Sequence, residues 1–327
     1  MSQVEIPEPL QDELRAAWQH YLDLLAPFRP DLHRYCRRLT RDLWDAEDLV
    51  QDTLIRAFAA LGKHHPAVER PRAYLLRTAT HCWIDTLRRR GSEARALAMS
   101  RPEPARDAPG AVRDAGTVLM QQLSPQERAA VVLKDVFELD LAETAEVLQT
   151  TVGAVKAALH RGRTRLRESD QDPGARPRPL PPAELVDRFV AAYNAKDLGG
   201  LTALLLDHAS VEQLGCAYST GIEALEEGFL DKAVNGHPEW PEAFQYESAR
   251  LERARLDGEP IALGLVVRRG REALEQVMRF EPEEGRIARI RAYAFCPEVM
   301  REIGERLGLP VRTGLYRYPT PAPGGSY

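Results

Sequence analysis

Two charged segments of the sequence have residue types and spacings that suit binding to a partner. Residues 42–52 contain five acidic side chains and no basic one. Residues 156–167 contain five basic side chains and no acidic one. Opposite charges gathered in separate segments indicate two partners of different chemistry, one of them a nucleic acid. The alternative interpretation is that each segment is only the solvated face of a helix.

Both charged segments are predicted to lie on amphipathic helices. From Val50 to Leu61, apolar side chains recur at i, i+4, i+7, i+8 and i+11, which is the spacing of one buried helix face. Asp45, Asp48 and Asp52 fall on the opposite side of that helix. The acidic face is therefore expected to point outward.

A second helix is predicted after Pro71, with an inner stripe from Leu76 to Leu87. Its outer face combines a ring, arginines and hydrogen-bonding groups, namely Tyr74, Arg77, His81, Asp85 and Arg88. Single-stranded nucleic acid needs cations for its phosphates and aromatic rings on which its bases stack. This face is a candidate DNA contact, with an ordinary solvated helix as the alternative.

The basic segment lies in a predicted helix-turn-helix. Ser124, Pro125 and Glu127 form a strong helix start, because serine caps, proline suits the first turn and glutamate completes a capping box. Asp140 is predicted to cap a short helix and Thr151 the next one. The short break between these two helices matches helix-turn-helix spacing.

The second helix of this pair has the composition of a recognition helix. It carries an apolar stripe, small residues near its N-terminus and an outer basic face, which together allow close approach to the major groove and contacts to flanking phosphates. The stripe is predicted to comprise Val152, Val155, Leu159 and Leu166, and the outer face Lys156, His160, Arg163 and Arg167.

Segments rich in Pro, Gly and Ala divide the chain of 327 residues. The predicted organisation is a helical domain at 10–100, a linker at 101–116, a second helical domain at 117–169, a linker at 170–183, a domain with helices and strands at 184–309, and a Pro/Gly-rich tail at 310–327. The expected fold class is multidomain, with two all-α domains followed by an α+β domain.

Composition narrows the function classes. The net charge is −5, no apolar run approaches bilayer length, and the N-terminus has no apolar signal region, so we expect a cytoplasmic protein without membrane partners. The four cysteines form no CxxC pair, and His33 with Cys36 has no further ligands at suitable spacing, so no metal site is expected. Without a Walker or GxGxxG loop, no cofactor is implied either.

Taken together, residues 45–58, 71–90 and 123–168 resemble extracytoplasmic-function (ECF) sigma factors of bacterial RNA polymerase. The resemblance implies core RNA polymerase and promoter DNA as partners, with region 2 on the β′ clamp helices and region 4 near the β flap. By that resemblance, the polymerase-binding residues are Asp45, Asp48, Leu49, Gln51 and Asp52.

The same resemblance assigns DNA contacts to the other two segments. The helix after Pro71 would read and melt the minus-ten element through Tyr74, Arg77, His81, Asp85 and Arg88. The recognition helix would bind the minus-35 element through Thr151, Gly153, Ala154, Lys156, Ala157, His160 and Arg161. The chain has His81-Cys82 where the family often has Asn-Arg, so relatives do not indicate its minus-ten base preference.

Residues 187–215 and 221–229, with the strands predicted at 261–268, 273–280 and 286–295, resemble the SnoaL-like branch of the ketosteroid-isomerase superfamily. That fold is a curved sheet wrapped around helices. The isomerases use a carboxylate base, a tyrosine and a protonated acid. Their motif places Gln213, Phe189 and Gln276 at these three positions. Because none of the three can do that chemistry, we expect a non-enzymatic domain with candidate pocket residues Phe189, Tyr193, Gln213 and Gln276.

The sequence therefore predicts a sigma factor that directs promoter recognition, with a C-terminal domain that modulates its activity. Candidate partners of that domain are a small ligand or an anti-sigma protein. The first alternative is a ligand-responsive helix-turn-helix regulator that does not act through core polymerase. The second is a SnoaL-like enzyme with a DNA-binding appendage.

Overall fold

The computed structural model describes residues 8–64, 70–100, 123–168, 180–225, 230 and 246–313. The chain divides into two compact units. One comprises residues 20–176, and the other combines residues 1–19 with residues 177–327. The predicted linker at 101–116 lies outside the described residues, as do most of the linker at 170–183 and the tail from residue 314 onward.

The described part of the helical unit consists of α-helices and one π-helical turn. In chain order, its elements are α1 (Glu8–Leu25, which the division between the units crosses), α2 (Arg29–Thr40), α3 (Leu43–His64), α4 (Pro71–Ser100), α5 (Pro125–Val131), a π-helical turn (Val132–Val136), α6 (Leu141–Val147) and α7 (Val152–Glu168). None of the described helices is long and apolar enough to cross a bilayer.

Helices α2, α3 and α4 pack around one apolar core. The predicted inner face of α3 is confirmed, because Val50, Leu54 and Ala57 are buried. Tyr35 on α2 is fully buried, and its hydroxyl lies 2.8 Å from the Thr80 hydroxyl on α4. This hydrogen bond satisfies two polar groups inside the core, where an unpaired hydroxyl would be costly.

The predicted helix-turn-helix is confirmed, and so are the predicted N-caps of its helices. Ser124 accepts a hydrogen bond from Glu127 N, and the Glu127 carboxylate accepts one from Ser124 N. Asp140 and Glu143 form the same reciprocal box at the start of α6. The predicted apolar stripe of α7 needs one correction: Val155 and Leu159 are buried, but Val152 is exposed. Val152 is the first residue of α7.

The second unit is built on a six-stranded sheet with strand order β2-β1-β6-β5-β4-β3. Strands β1 and β6 are parallel, and every other neighbouring pair is antiparallel. Its elements are α8 (Ala183–Asn194), α9 (Leu198–Ala203), β1 (Leu205–Gln213), β2 (Ala217–Thr220), α10 (Ile222–Ala224), β3 (Ser248–Leu256), β4 (Glu259–Arg268), β5 (Arg271–Glu283), β6 (Arg286–Ala292) and α11 (Pro297–Leu307).

The mixed helix and sheet content predicted for this part of the chain is confirmed, but several strand boundaries differ. Strand β4 begins at Glu259 and β5 covers Arg271–Glu283, so both are longer than predicted. The last strand ends at Ala292 instead of Phe295, because a turn precedes the helix that starts at Pro297.

One face of the sheet packs on α8 and the opposite face on α11. The α8 side is centred on Phe189, whose ring contacts that of Phe280 edge-on at 4.9 Å. Asn194 fastens the end of α8 to β3, since its side-chain amide both donates to and accepts from the Leu251 backbone at 2.8 Å.

The chain continues beyond α11 along β5. Leu274 N donates to Pro310 O at 2.8 Å, and Arg312 N donates to Leu274 O at 3.0 Å. Gly304 on α11 makes room for this segment, because a Cβ there would lie 2.0 Å from a Val311 methyl carbon. The first residues of the predicted tail therefore pair with β5 through an isolated parallel bridge.

Candidate functional site

The outer side of α3 presents an acidic surface. Asp45 and Asp48 are partly exposed and Asp52 is exposed, as the sequence predicted. Ile55 follows at helical spacing and has 55% of its surface exposed, which is unusual for a large apolar side chain. Carboxylates beside an exposed apolar side chain suit a partner surface that is both basic and apolar.

Two other residues assigned to this surface lie inside the helical core. Leu49 is 5% exposed and Gln51 is 9% exposed. The Gln51 side-chain amide donates to Glu47 Oε1 at 2.6 Å. The polymerase-binding role that the resemblance implies for Leu49 and Gln51 remains a prediction. They can support the acidic surface from below.

Sequence reasoning missed Glu47, which anchors this helix. Its carboxylate is fully buried and accepts a hydrogen bond from Arg29 Nη2 at 2.7 Å. His33 Nε2 lies 3.9 Å from the other carboxylate oxygen. These contacts join α2 to α3 and so fix the orientation of the acidic surface. The available signal was the spacing, since position 47 precedes Val50 by three residues and shares its buried face.

The outer face of α4 brings together the residues assigned to the minus-ten element. The Arg77 guanidinium lies 5.5 Å from the centre of the Tyr74 ring, and both side chains are partly exposed, as is His81. Asp85 is held by Arg56 at 3.1 Å and by Arg88 at 3.8 Å. A cation beside an accessible ring can contact a phosphate and an unstacked base together.

The start of α7 is open to approach by a partner. The Thr151 hydroxyl accepts a hydrogen bond from Ala154 N at 3.1 Å, which confirms the predicted cap. Every residue of this predicted DNA surface is exposed: Thr151, Gly153, Ala154, Lys156, Ala157, His160 and Arg161.

Arg161 and Arg165 on α7 both bind one buried carboxylate. Arg161 Nε donates to Glu127 Oε1 at 2.9 Å, and Arg165 Nη1 donates to Glu127 Oε2 at 2.5 Å. Glu127 is only 2% exposed. Arg161 therefore fastens α7 to α5, a role that the sequence did not indicate, while half of its side chain stays exposed.

Lys156→Ala is expected to weaken binding of duplex promoter DNA about uniformly across sequences and to lower the slope of log K against log salt by roughly 1. Lys156 is the suitable probe because it is exposed and is not among the residues that bind Glu127 above. The measurement is a salt titration of DNA affinity by fluorescence anisotropy. Arg188→Ala, an exposed arginine on α8, is the control. An unchanged slope for Lys156→Ala would exclude a phosphate contact.

The candidate pocket residues of the second unit differ in exposure, because Tyr193, Gln213 and Gln276 are partly exposed. Phe189 is fully buried. Burial and the nearby Tyr246 raise the pKa of Tyr193 to about 12, so its hydroxyl stays protonated at neutral pH. Gln213 and Gln276 lie in β1 and β5 on the side of the sheet that faces α8.

The carboxylate next to Gln213 in the sequence does not share its face of the sheet. Glu212, the neighbour of Gln213, lies on the opposite face of the sheet and pairs with Arg291 at 3.0 Å. Within the described part of the chain, no group of three His, Cys, Asp or Glu side chains could hold a metal ion.

Comparisons with known proteins agree with this geometry. Residues 24–93 match Sigma-70 region 2, and residues 117–166 match Sigma-70, region 4. The ECF RNA polymerase sigma factor SigM of Mycobacterium tuberculosis (strain Erdman) is 32% identical over 139 residues, which cover 41% of this chain and 69% of SigM. The chain belongs to the ECF sigma factors of the sigma-70 family.

A second relative matches this sigma factor over only part of its own length. The ECF RNA polymerase sigma factor SigG of Mycobacterium tuberculosis (strain H37Rv) is 30% identical over 216 residues, which cover 56% of this chain and 58% of SigG. The crystal structure of Mycobacterium tuberculosis SigJ aligns with 88% of this chain and 97% of its own length at 22% identity. Its TM-score of 0.30 is too low to establish a shared arrangement.

Proposed function

We propose that this sigma factor recruits core RNA polymerase to promoters and begins transcription there. The observation that carries the proposal is that one unit presents both an acidic α3 surface and an exposed recognition helix α7. A protein that only binds duplex DNA needs the second feature and has no use for the first.

In this proposal, each surface has one partner. Asp45, Asp48 and Asp52 bind the β′ clamp helices, with Leu49 and Gln51 supporting them from the core. The α4 face, with Tyr74, Arg77 and His81, captures unstacked minus-ten bases. Helix α7 holds the minus-35 element, and region 4 contacts the β flap. Charge supplies most of the affinity for DNA, and stacking supplies the capture of single-stranded bases.

We further propose that the C-terminal domain is a SnoaL-like domain that modulates transcription without catalysis. Its mixed sheet and helices support this fold. An isomerase needs two carboxyl groups and a tyrosine at positions that Gln213, Gln276 and Phe189 take in this chain. None of these three side chains can act as the general acid or base. The candidate binding partner of this domain is a small ligand or an anti-sigma protein.

Run-off transcription with core polymerase tests both parts of the proposal. The full-length chain and a chain stopped at Asp170 are compared on the same genomic fragments, with co-purification of core as a second measurement. We expect both chains to bind core and to transcribe, with different yields. If neither chain binds core, the regulator that acts without polymerase is the better interpretation. Equal yields would show that the C-terminal domain is passive.

A further inference from the structure

Region 4 packs directly on region 2 through Phe137. This phenylalanine is buried, and its ring meets that of Tyr35 on α2 edge-on, with the ring centres 5.6 Å apart. The guanidinium groups of Arg34 on α2 and Arg72 on α4 lie 5.9 Å and 5.7 Å from the centre of the Phe137 ring. Rings in edge-to-face geometry attract each other, and cations are attracted to the face of a ring. Phe137 therefore joins region 4 to two helices of region 2.

The backbone of region 4 is irregular on both sides of Phe137. The π-helical turn Val132–Val136 precedes it, and the next residue, Glu138, has a left-handed φ of 55°. Turns of π-helix are frequent at functional sites, and a left-handed backbone is uncommon in residues other than glycine. Both irregularities lie directly beside the residue that contacts region 2.

Arg128 on α5 makes a second contact between the two regions. Its Nη1 donates to Leu39 O at 2.9 Å, and its guanidinium lies 5.2 Å from the centre of the Trp83 ring on α4. The last carbonyl groups of a helix have no partner within that helix, so Arg128 supplies a donor to the C-terminal end of α2. Arg70 and Glu146, both exposed, form a further ion pair between the regions at 3.3 Å.

These contacts set an upper limit on the distance between the two predicted DNA surfaces. Tyr74 on the minus-ten face lies four residues after Arg70, and Thr151 at the start of the recognition helix lies five residues after Glu146. Nine residues span at most about 32 Å when fully extended. Even with the two side chains of the ion pair added, the surfaces begin less than about 50 Å apart.

Promoter DNA requires a larger separation. The minus-ten and minus-35 elements take their names from positions about 25 base pairs apart, which corresponds to about 85 Å of duplex at about 3.4 Å per base pair. Duplex DNA of this length is stiff, because its persistence length is about 150 base pairs. Regions 2 and 4, arranged as in this structure, can therefore bind either element but not both at once.

We propose that the contacts of Phe137 and Arg128 with region 2 hold the unbound chain in an autoinhibited, closed state, which must open before both promoter elements can be bound. This inference rests on the function proposed above. Residues 101–122 connect the regions and can span about 70 Å when extended, so the length of the chain permits the opening. Core polymerase would drive the opening by binding both regions, since a ligand shifts an equilibrium toward the state that it binds better.

Cross-linking of the full-length chain tests for the closed state without polymerase. Arg70→Cys with Glu146→Cys is prepared in a Cys216→Ser background, because the other three cysteines are buried. A short bismaleimide with a disulfide in its spacer can join the two new thiols only while the regions are in contact. We expect Phe137→Ala to lower the cross-linking rate roughly threefold or more, because the ring contacts are lost. The control is Val136→Ala, an exposed apolar neighbour that should leave the rate unchanged.

Arg128→Gln is a second test of the same interface, with circular dichroism to verify the folding of both variants. It removes the guanidinium that lies over the Trp83 ring, so a similar fall in the cross-linking rate is expected. If the rate in neither folded variant differs from that in Val136→Ala, these contacts do not hold the regions together and the proposal is overturned.

Run-off transcription with the cross-linked chain tests whether the closed state is inactive. We expect the cross-link to lower the yield roughly tenfold or more, because the open state is no longer populated, and reduction of the spacer to restore it. Affinity for a short duplex with the minus-35 element alone should be unchanged, since the predicted DNA contacts of α7 are exposed. A cross-linked chain that transcribes as well as the reduced one overturns the proposal.

The two measurements separate this inference from the proposed function. If the chain without cross-linker neither binds core polymerase nor transcribes, the function proposed above is wrong, and the cross-linking rates still decide whether Phe137 and Arg128 hold the regions together. If that chain transcribes but its cross-linking rate does not depend on these two residues, only the closed state is wrong.

Discussion

Asp48→Arg combined with Asp52→Arg is expected to weaken binding to core RNA polymerase by roughly 100-fold or more, because like charges facing each other across an interface cost several kcal/mol. Both carboxylates lie on the outer side of α3, whose inner side is fixed by Val50, Leu54 and the buried Glu47. The double reversal should therefore remove the interface and leave the fold intact.

The measurement is co-purification with core polymerase, quantified by a binding titration, with circular dichroism to verify folding. The matched control is Asp207→Arg with Glu223→Arg, an equal charge change at exposed positions of the second unit. If the α3 variant binds core as tightly as the control does, the acidic surface is not the site of polymerase binding.

Glu127→Ala is expected to destabilise region 4 by roughly 2–4 kcal/mol, which is a large fraction of the stability of a small domain. One carboxylate caps α5 through Ser124 N and binds Arg161 and Arg165 of α7. Its removal leaves the helix start without half of its capping box and α7 without its anchor to α5. Binding of duplex DNA should fall with it, although Glu127 itself cannot contact phosphate.

The pH dependence of the stability of region 4 is a second test of the role of the Glu127 carboxylate. Burial acts to raise the pKa of Glu127, but hydrogen bonds from Ser124 and Arg161 and the charge of Arg165 outweigh it and hold the pKa below its usual range. Since the folded pKa is lower than the unfolded one, this stabilisation is complete above about pH 4.3 and is lost as the pH falls through the folded value. The stability gap between wild type and Glu127→Gln should therefore shrink in acid.

Hydrogen exchange of the α7 amides is the suitable measurement, because it reports on region 4 while α2 and α3 serve as an internal reference. Glu143→Ala is the matched control. It removes the glutamate of the second capping box, which is exposed and binds only the start of α6, so it should cost about 1 kcal/mol or less. Equal protection of the α7 amides in the Glu127 and Glu143 variants would contradict the role of Glu127 in holding α7 on α5.

The features that the sequence predicted well are local ones. The Ser124 and Asp140 caps, the Thr151 cap and the inner face of α3 depend on residues within a few positions of each other, so their spacing determines their geometry. The sign and position of the charged surfaces follow from the same periodicity.

The features that the sequence did not predict involve distant partners. Arg161 meets Glu127 across 34 positions, and Arg128 meets Leu39 across 89 positions. No local pattern distinguishes such arginines from those that contact DNA. The burial of Leu49 and Gln51 was not predicted either, because their role came from the family resemblance, which says nothing about their exposure. The order of the strands was also beyond reach, since periodicity identifies strands without their neighbours.

The pairing of β1 with β6 has a consequence for how the protein is made. These are the first and last strands of the sheet, and they lie side by side in parallel. Strand β1 thus lacks one neighbour until the ribosome has delivered Ala292. At 5–20 residues per second, the roughly 120 residues that follow region 4 take about 6–24 s to synthesise. During that interval, the residues of regions 2 and 4 have all been synthesised, whereas the C-terminal sheet still lacks the strand that pairs with β1.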